Sequence, residues 1–167
     1  MSYCYTGVGG RKTPVDILGL MTAIAIKMAA WGFKLRSGGA KGADTAFEQG
    51  AGANKEIYLA NDCTLAAMEI SAQFHPAWEK CSEFARKLHG RNAFQVLGAD
   101  LNDPSKYCIC WTPDGCTTHM ERVYRTGGTG TAISIADAYD VPVSNLAIPS
   151  HRKIWTDWVN AIAPKMR

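Results

Sequence analysis

The chain has 167 residues, 47% of them hydrophobic, and carries 18 Lys and Arg against 15 Asp and Glu, a formal net charge of +3. This length and apolar content predict one domain, residues 1–167, around a single core, and the small charge excess argues against a general nucleic-acid coat. Lys27 interrupts the longest apolar run and the start lacks a signal-peptide pattern, so we expect a cytoplasmic protein with no membrane partner.

The first half of the chain predicts alternating strands and helices. "SYCYTGV" is a β-rich run, and "TPVDILGLMTAIAIKMAAWG" has apolar residues at helical spacing, with Thr13 as its candidate N-cap. "FKLRSGG" predicts a second strand, "KGADTAFEQGAG" a short helix that Asp44 is expected to cap, and "KEIYLA" a third strand. Such alternation favours a parallel sheet with helices on both faces.

The second half of the chain begins with a long crossover, because residues 61–98 are helical in pattern and Pro76 is expected to open the helix in "PAWEKCSEFARKLHG". "KYCICW" predicts the fourth strand, residues 112–128 an irregular connection, "TGTAISIADAYD" a helix and "VPVSNLA" the last strand. "SHRKIWTDWVNAIA" predicts a terminal helix capped by Ser150. The apolar residues expected to face inward from it are Ile154, Trp155, Trp158 and Ile162.

Right-handed crossovers between these strands predict a Rossmann-like α/β three-layer sandwich with a mainly parallel sheet in the order 3-2-1-4-5. Strands one and four then flank the switch point at which open α/β sheets bind their ligands, and strand two lies beside them. Three glycine-rich segments follow these three strands and precede helices: "TGVGGRKTP", "SGGAKGAD" and "TGGTGTAIS". All three loops are therefore expected to converge on one crevice.

Helix starts suit phosphate, because their first amides lack partners within the helix, the macrodipole is positive there, and glycine permits a close approach. We therefore predict a nucleotide or phosphate site. Its predicted ligand-binding residues are Gly7, Gly9, Gly10, Arg11, Ser37, Gly38, Gly39, Lys41, Trp111, Gly127, Gly128, Thr129, Gly130 and Thr131.

Each of these predictions has an alternative. Any one glycine loop alone serves equally well as a tight turn or as a close contact between a helix and a strand. Trp111 either stacks on a base or fills space at the rim. "GVGGRK" departs from the pattern GxGxxG and no acidic residue ends strand two, so an ordinary NAD enzyme is set aside.

"YTGVGGRKTP", "RSGGAKGAD" and "TGGTGTA" resemble the Rossmann-like superfamily that joins the DNA-processing protein DprA (Smf), the LOG-type proteins and the SLOG ligand-sensing domains. With "LHGRNAFQVLG" and "CWTPDG", the chain looks most like small stand-alone DprA-like proteins, often phage-encoded, from about Tyr3 to Leu146. The resemblance implies a nucleotide or nucleotide-derived ligand that the protein senses or sequesters, for example in phage counter-defence in the host cytoplasm. It implies no required cofactor, and a homo-oligomer.

The LOG-type phosphoribohydrolases cleave the N-glycosidic bond of a nucleoside monophosphate, and they carry PGGxGTxxE together with an arginine that Arg91 matches here. In this chain Thr126 replaces the proline and Ser134 replaces the catalytic glutamate. An N-glycosidase therefore needs another carboxylate, for which Asp114 and Glu121 are the candidates. This enzyme, with Arg91, Asp114 and Glu121 as catalytic residues, is the first alternative function.

Binding of single-stranded DNA is the second alternative, which the likeness to DprA permits. Arg86, Lys87 and Arg91 form the best basic cluster, but a run of this kind is typical of a solvated helix face. The chain has no stripe of alternating basic and aromatic residues, which single-strand binders use for backbone contact and base stacking. DNA is therefore the weaker candidate partner.

We predict no metal site. "CICWTPDGCTTH" contains three cysteines and a histidine, but Cys108 and Cys110 alternate within a predicted strand as small core residues do. His75 and His89 are interpreted as residues at helix ends. The six scattered cysteines are expected to be free thiols in a reducing compartment.

Overall fold

Five parallel strands form one sheet in this computed structural model, which describes residues 3–161. In chain order the strands are β1 (Cys4–Gly7), β2 (Lys34–Ser37), β3 (Lys55–Ile57), β4 (Cys108–Cys110) and β5 (Val143–Asn145). Their order across the sheet is β3-β2-β1-β4-β5, with every neighbouring pair parallel. The predicted Rossmann-like strand order is confirmed.

Seven α-helices are present among the described residues. They are α1 (Val15–Ala30), α2 (Ala43–Ala51), α3 (Leu65–Ala72), α4 (Glu83–Gly90), α5 (Asn92–Leu97), α6 (Thr129–Ala138) and α7 (Pro149–Asn160). None of them is long and apolar enough to span a membrane.

The helices bury both faces of the sheet, because alternate strand residues point to opposite sides. Tyr5, Leu35 and Ile109 join the core beneath α1, α2 and α7. Cys108 and Cys110, fully buried as predicted, join the core beneath α3, α5 and α6. The strands that precede the glycine-rich loops are therefore packed from both faces of the sheet.

The long crossover is not one continuous helix. After α3 the chain makes a turn, a 3-10 segment (Trp78–Lys80) follows, and α4 begins only at Glu83. The hydroxyl of Ser82 accepts a hydrogen bond of 3.1 Å from the amide of Ala85. The prediction that Pro76 opens this helix is wrong, because Ser82 offers the first side-chain acceptor for the unpaired amides of the turn.

Two predicted helix caps are also wrong. The hydroxyl of Thr13 donates to the carbonyl of Gly10 at 2.6 Å, so it closes the loop before α1 and caps no amide. Ser150 lies inside α7, which begins at Pro149. Proline suits the first helical position because its ring fixes φ and it has no amide that needs a partner.

The terminal helix α7 packs on the sheet through Trp155, which is buried, and Trp158, which is half-buried. The two indole rings meet edge to face with their centroids 5.5 Å apart. Ile154 was expected to face inward but is 64% exposed, since it lies on the other side of the helix. Ile162 lies outside the described residues.

Candidate functional site

A crevice of about 440 Å³ opens at the carboxyl ends of β1 and β4. It is lined by residues 8–12, 40, 44, 88–89, 91–92, 95, 111, 113, 125–129 and 132. These residues come from the loop after β1, the loop after β2 with the first turn of α2, the loop after β4, the junction of α4 and α5, and the amino end of α6. The crevice thus lies at the switch point of the sheet, where strand order predicts a ligand.

The structure brings part of the predicted site together. The predicted residues that line the crevice are Gly9, Gly10, Arg11, Arg91, Trp111, Gly127, Gly128 and Thr129. The predicted residues that do not line it are Gly7, Ser37, Gly38, Gly39, Lys41, Asp114, Glu121, Gly130 and Thr131. The first and third glycine loops therefore form the crevice, and the second lies mostly behind it.

The loop after β1 approaches other backbone closely because of its glycines. A Cβ on Gly9 would lie 2.6 Å from the Cβ of Ala43, so only glycine fits at that contact with α2. The amide of Gly10 donates to the carbonyl of Trp111 at 3.3 Å, which ties the β1 loop to the β4 loop. Arg11 and Lys12 follow in the same loop, exposed at the rim of the crevice.

The third loop turns into α6 at Gly127, whose φ of +78° is readily adopted only by glycine. Gly128 and Thr129 then present the amino end of a ten-residue helix to the crevice. The hydroxyl of Thr126 donates to a carboxylate oxygen of Asp114 at 2.6 Å, which holds the loop before this turn. Asp114 therefore supports the α6 loop from outside the crevice.

Gly130 and Thr131 face away from the crevice toward Arg122. A Cβ on Gly130 would lie 2.5 Å from Nε of Arg122, and the guanidinium donates to the hydroxyl of Thr131 at 3.0 Å. A second N–H group of Arg122 donates to the carbonyl of Phe74. These two residues of the "TGGTGTA" motif thus pack against Arg122, which links α6 to the segment after α3.

The second loop supports the crevice from behind. The hydroxyl of Ser37 donates to the carbonyl of Gly7 at 2.6 Å, and a Cβ on Gly7 would collide with Phe47. Gly39 has a φ of +71°. Lys41 is exposed and lies outside the crevice.

Four cations surround the crevice: Arg11, Lys12, Arg91 and Arg125. Arg91, between α4 and α5, donates from Nη1 to the carbonyl of Gly38 at 2.8 Å, which fixes its guanidinium. Its Nε is buried and has no hydrogen-bond partner among the described residues. A buried, unpartnered donor of this kind is costly unless a ligand or water accepts from it.

Asp44 is the one carboxyl group that lines the crevice among the described residues. It was predicted to cap α2, which is wrong: the residue before that helix is Gly42, and one Asp44 oxygen instead accepts from the amide of Ala40 at 3.2 Å. Burial raises its pKa to about 6, although amides of three loop residues and the charge of Arg91 oppose the shift. The carboxyl group therefore changes its protonation state near pH 6, slightly below neutral pH.

Two amide side chains of α5 form the polar back wall, and sequence analysis missed both. Gln95 is 1% exposed, and its Oε1 has no hydrogen-bond partner among the described residues. The Nδ2 of Asn92 donates weakly to the carbonyl of Gly128, at 3.4 Å. The available signal was the short, buried "NAFQVL" segment, in which two polar residues interrupt apolar ones.

Trp111 leans over the first glycine loop. A Cβ on Gly10 would lie 3.6 Å from its six-membered ring, and the indole is half-buried. This position is compatible with both predicted roles of Trp111, space filling at the rim and stacking on a base.

The other carboxylate and hydroxyl candidates lie away from the crevice. Glu121 is exposed and accepts hydrogen bonds from Thr117 and Thr118, which lower its pKa. Ser134, at the position of the LOG glutamate, is fully buried with its hydroxyl 2.8 Å from Nδ1 of His119. Neither side chain can reach a ligand in the crevice without a rearrangement.

No protein-family model, curated protein or solved structure matches the chain. The likeness to DprA, LOG and SLOG proteins therefore stays an interpretation of the motifs. Any function must be inferred from the geometry of the crevice.

Proposed function

We propose that the protein binds a nucleotide or nucleotide-derived signalling molecule in this crevice, and senses or sequesters it. The observation that carries the proposal is the convergence of the amino end of α6 and four cationic side chains on one crevice at the switch point. Only one carboxyl group among the described residues that line the crevice, Asp44, opposes these four charges. The crevice is therefore suited to an anion.

A phosphate group fits beside Gly128 and Thr129. The amides of Gly130 and Thr131 already donate to loop carbonyls, so the amides of Gly128 and Thr129 are the ones without a partner among the described residues. The macrodipole adds partial positive charge there. Gly128 has no side chain to keep a phosphate oxygen away from these amides. Arg125 lies next to this end of the helix, and its guanidinium can pair with two phosphate oxygens.

The rest of the crevice suits the base and sugar of a nucleotide. Trp111 offers an aromatic face, and Asn92 and Gln95 offer amide groups at the back wall. The Oε1 of Gln95 is buried and has no partner among the described residues, so it accepts a hydrogen bond from an N–H group of a base only after the side chain moves toward the crevice. An apolar face with a few convergent polar groups is typical of small-molecule sites.

Binding without turnover is favoured by the position of Ser134. The side chain that replaces the LOG glutamate is buried against His119 and carries no carboxylate. A protein that holds a nucleotide without cleaving it can report on that nucleotide or withhold it from other proteins. Sequestration of a host signal by a phage protein is one such role.

The test is a thermal-shift screen of the purified protein against mono-, di- and cyclic nucleotides and ADP-ribose derivatives. A ligand that binds the native state raises the unfolding midpoint by mass action, and chromatography of the recovered ligand reveals whether it stays intact. Arg11→Ala is expected to reduce the shift. Lys41→Ala removes the same charge from a neighbouring loop outside the crevice and is expected to leave the shift unchanged.

Each outcome of this screen has a distinct meaning. An intact ligand that needs Arg11 but not Lys41 supports the proposal. If no nucleotide shifts the midpoint, the phosphate-site proposal fails, and single-stranded DNA becomes the ligand to examine. Affinity for DNA that falls steeply with salt would identify binding to its phosphate backbone.

A nucleotide N-glycosidase is the second candidate, and the position of Asp44 favours it. Asp44 lines the crevice beside Arg91 and has a pKa of about 6, suited to proton transfer near neutral pH. Asp114 and Glu121, the carboxylates expected from the sequence, do not line the crevice. Release of free base by the wild type, lost in Asp44→Asn with nucleotide still bound, would establish this activity. An intact ligand in every assay would exclude it.

A further inference from the structure

Two histidines and a cysteine meet at the edge of the crevice wall. His75 lies in the turn after α3, Cys81 follows the 3-10 segment, and His89 lies in the last turn of α4. One potential ligand atom from each of them lies within 4.8 Å of the other two. All three side chains are half-buried, so the cluster is neither sealed in the core nor spread over the surface.

The distances fit a small cation after a modest contraction. Cys81 Sγ lies 3.9 Å from Nε2 of His75, and the two imidazole centroids are 4.2 Å apart. A tetrahedral ion with bonds of about 2.0–2.3 Å places its donor atoms roughly 3.3–3.8 Å apart. Movements of about 1 Å in a turn with little regular structure would therefore complete the coordination.

We propose that His75, Cys81 and His89 bind a borderline-soft divalent transition-metal ion of the Zn²⁺ class. Thiolate and imidazole donors in this combination select zinc-like ions over magnesium or calcium, which prefer oxygen ligands. Three protein ligands leave a tetrahedral ion one further position, which water or another small ligand fills. This donor set is separate from the thiols in "CICWTPDGCTTH".

Arg122 is the positive charge that acts on both imidazoles of the cluster. The positive charge of Arg122 opposes the ion, and the thiolate of Cys81 offsets it.

Hydrogen bonds from neighbouring groups orient the three proposed ligand side chains. Nδ1 of His89 lies 3.5 Å from the hydroxyl of Thr131, the kind of second contact that orients a metal-bound imidazole. The amide of Ala77 donates to Nδ1 of His75 at 3.0 Å, and the thiol of Cys81 donates to the carbonyl of Ala77. Metal binding removes the proton of the Cys81 thiol and breaks the hydrogen bond from the Ala77 amide to His75. The amide signal of Ala77 is thus a direct reporter of the ion.

The ion would also fix the wall of the crevice. His89 lines the crevice, and its Cε1 lies 3.7 Å from where a Cβ on Gly128 would stand. Metal coordination would therefore hold the turn after α3 against α4, the helix that Arg91 directly follows. Binding of the metal itself requires no nucleotide, so its test is independent of the proposed function.

The test is a titration of the chelator-treated, reduced protein with Co²⁺, a spectroscopic substitute for Zn²⁺. We expect one ion per chain, intense visible absorption of a four-coordinate site, and a near-ultraviolet sulfur-to-cobalt charge-transfer band that Zn²⁺ abolishes. The thermal midpoint should rise with Zn²⁺, because the ion binds only the native arrangement. In a nitrogen-15 spectrum, the Ala77 amide should shift on metal addition.

Matched thiol variants identify the ligand. Cys81→Ser should lose the charge-transfer band and weaken Co²⁺ binding by at least about 100-fold. Even the loss of a residue that only hydrogen-bonds a metal ligand lowers metal affinity by roughly 10- to 100-fold. Cys63→Ser removes another half-exposed thiol outside the cluster and should keep both band and affinity. His75→Gln should weaken binding comparably to Cys81→Ser.

The Co²⁺ titration of the wild type tests the proposed metal site even if a variant fails to fold. Absence of the charge-transfer band at saturating Co²⁺ overturns the proposal. A band that survives in Cys81→Ser, or is lost in Cys63→Ser, likewise overturns it by assigning the sulfur to another residue.

Discussion

Arg91 has the most constrained cationic side chain in the crevice. One end of its guanidinium is anchored on the carbonyl of Gly38, and its Nε is buried without a partner among the described residues. A guanidinium held in this way loses little conformational entropy when it binds an anion. Arg91 is therefore expected to contribute more to ligand affinity than the exposed Arg11 or Lys12.

Replacement of Arg91 tests this difference. Arg91→Ala is expected to weaken nucleotide binding by roughly 10- to 100-fold, because a hydrogen bond to a charged group contributes about 1.5–3 kcal/mol. Isothermal titration calorimetry measures the affinity. Lys87→Ala, which removes a positive charge from α4, one turn before Arg91 and outside the crevice, should change the affinity less than about twofold. Equal losses in the two variants would mean that only the overall charge matters.

Asp44 makes stability depend on pH. Burial raises its pKa to about 6, above the value of about 3.9 for an unfolded aspartate. The native state therefore keeps a proton that the unfolded state releases, so the contribution of Asp44 is complete below about pH 3.9 and is lost as pH rises through about 6.

The variant Asp44→Asn isolates this effect, because its side chain does not titrate. Between about pH 5 and about pH 7.5, the free energy of unfolding of the wild type should fall relative to the variant by about 1 kcal/mol. Urea denaturation at both pH values measures the difference. A difference that does not change with pH would contradict a raised pKa.

Sequence reasoning found the residues of the crevice that lie in glycine loops, and missed those that lie on helices. Gly9 and Gly128 follow strands whose carboxyl ends meet by topology, so their convergence can be predicted. Asn92 and Gln95 are polar residues in an otherwise apolar, buried helix, α5. Which side of that helix faces the crevice depends on tertiary packing, which local periodicity does not encode.

At the scale of elements, strand order was predictable and helix boundaries were not. The order follows from chain alternation and crossover handedness, which are global constraints. Helix starts depend on competition between nearby polar groups for a few amides. Thr13 donates to a loop carbonyl, and Ser82 caps α4, the helix that Pro76 was expected to open.

Alanine substitutions at two glycines are expected to change the free energy of unfolding in opposite directions. Gly19 lies inside α1, and a Cβ added there would have no neighbour within 4 Å, so Gly19→Ala should raise the free energy of unfolding by about 0.5–1 kcal/mol. Gly9→Ala pushes the β1 loop against α2 and should lower it by roughly 1–3 kcal/mol. Urea denaturation measures both. A neutral Gly9→Ala variant would mean that the loop and α2 separate easily.

At the scale of the molecule, thiol accessibility tests the packing of both cores. Cys63 and Cys81 are half-exposed, whereas Cys4, Cys108, Cys110 and Cys116 are buried. A colorimetric disulfide reagent should label the first two in the native protein and the buried four only after denaturation. Burial also raises the pKa of Cys63, which slows its reaction. Rapid labelling of more than two thiols would contradict the packing.

The homo-oligomer implied by the family resemblance stays a prediction. Light scattering across a range of concentrations should give a mass that is a multiple of the 18.1 kDa chain. A mass equal to one chain at every concentration would contradict it.

The strand order also determines when during synthesis the crevice can exist. β1 pairs with β2 early, but its other neighbour β4 follows about 100 residues later, and such distant pairing forms slowly. An emerging chain can therefore order β1, β2 and β3 while the edge of β1 that pairs with β4 has no partner. The wall of the crevice is complete only after α6 has left the ribosome, so a nucleotide that binds in the crevice cannot guide the folding of the first half of the chain.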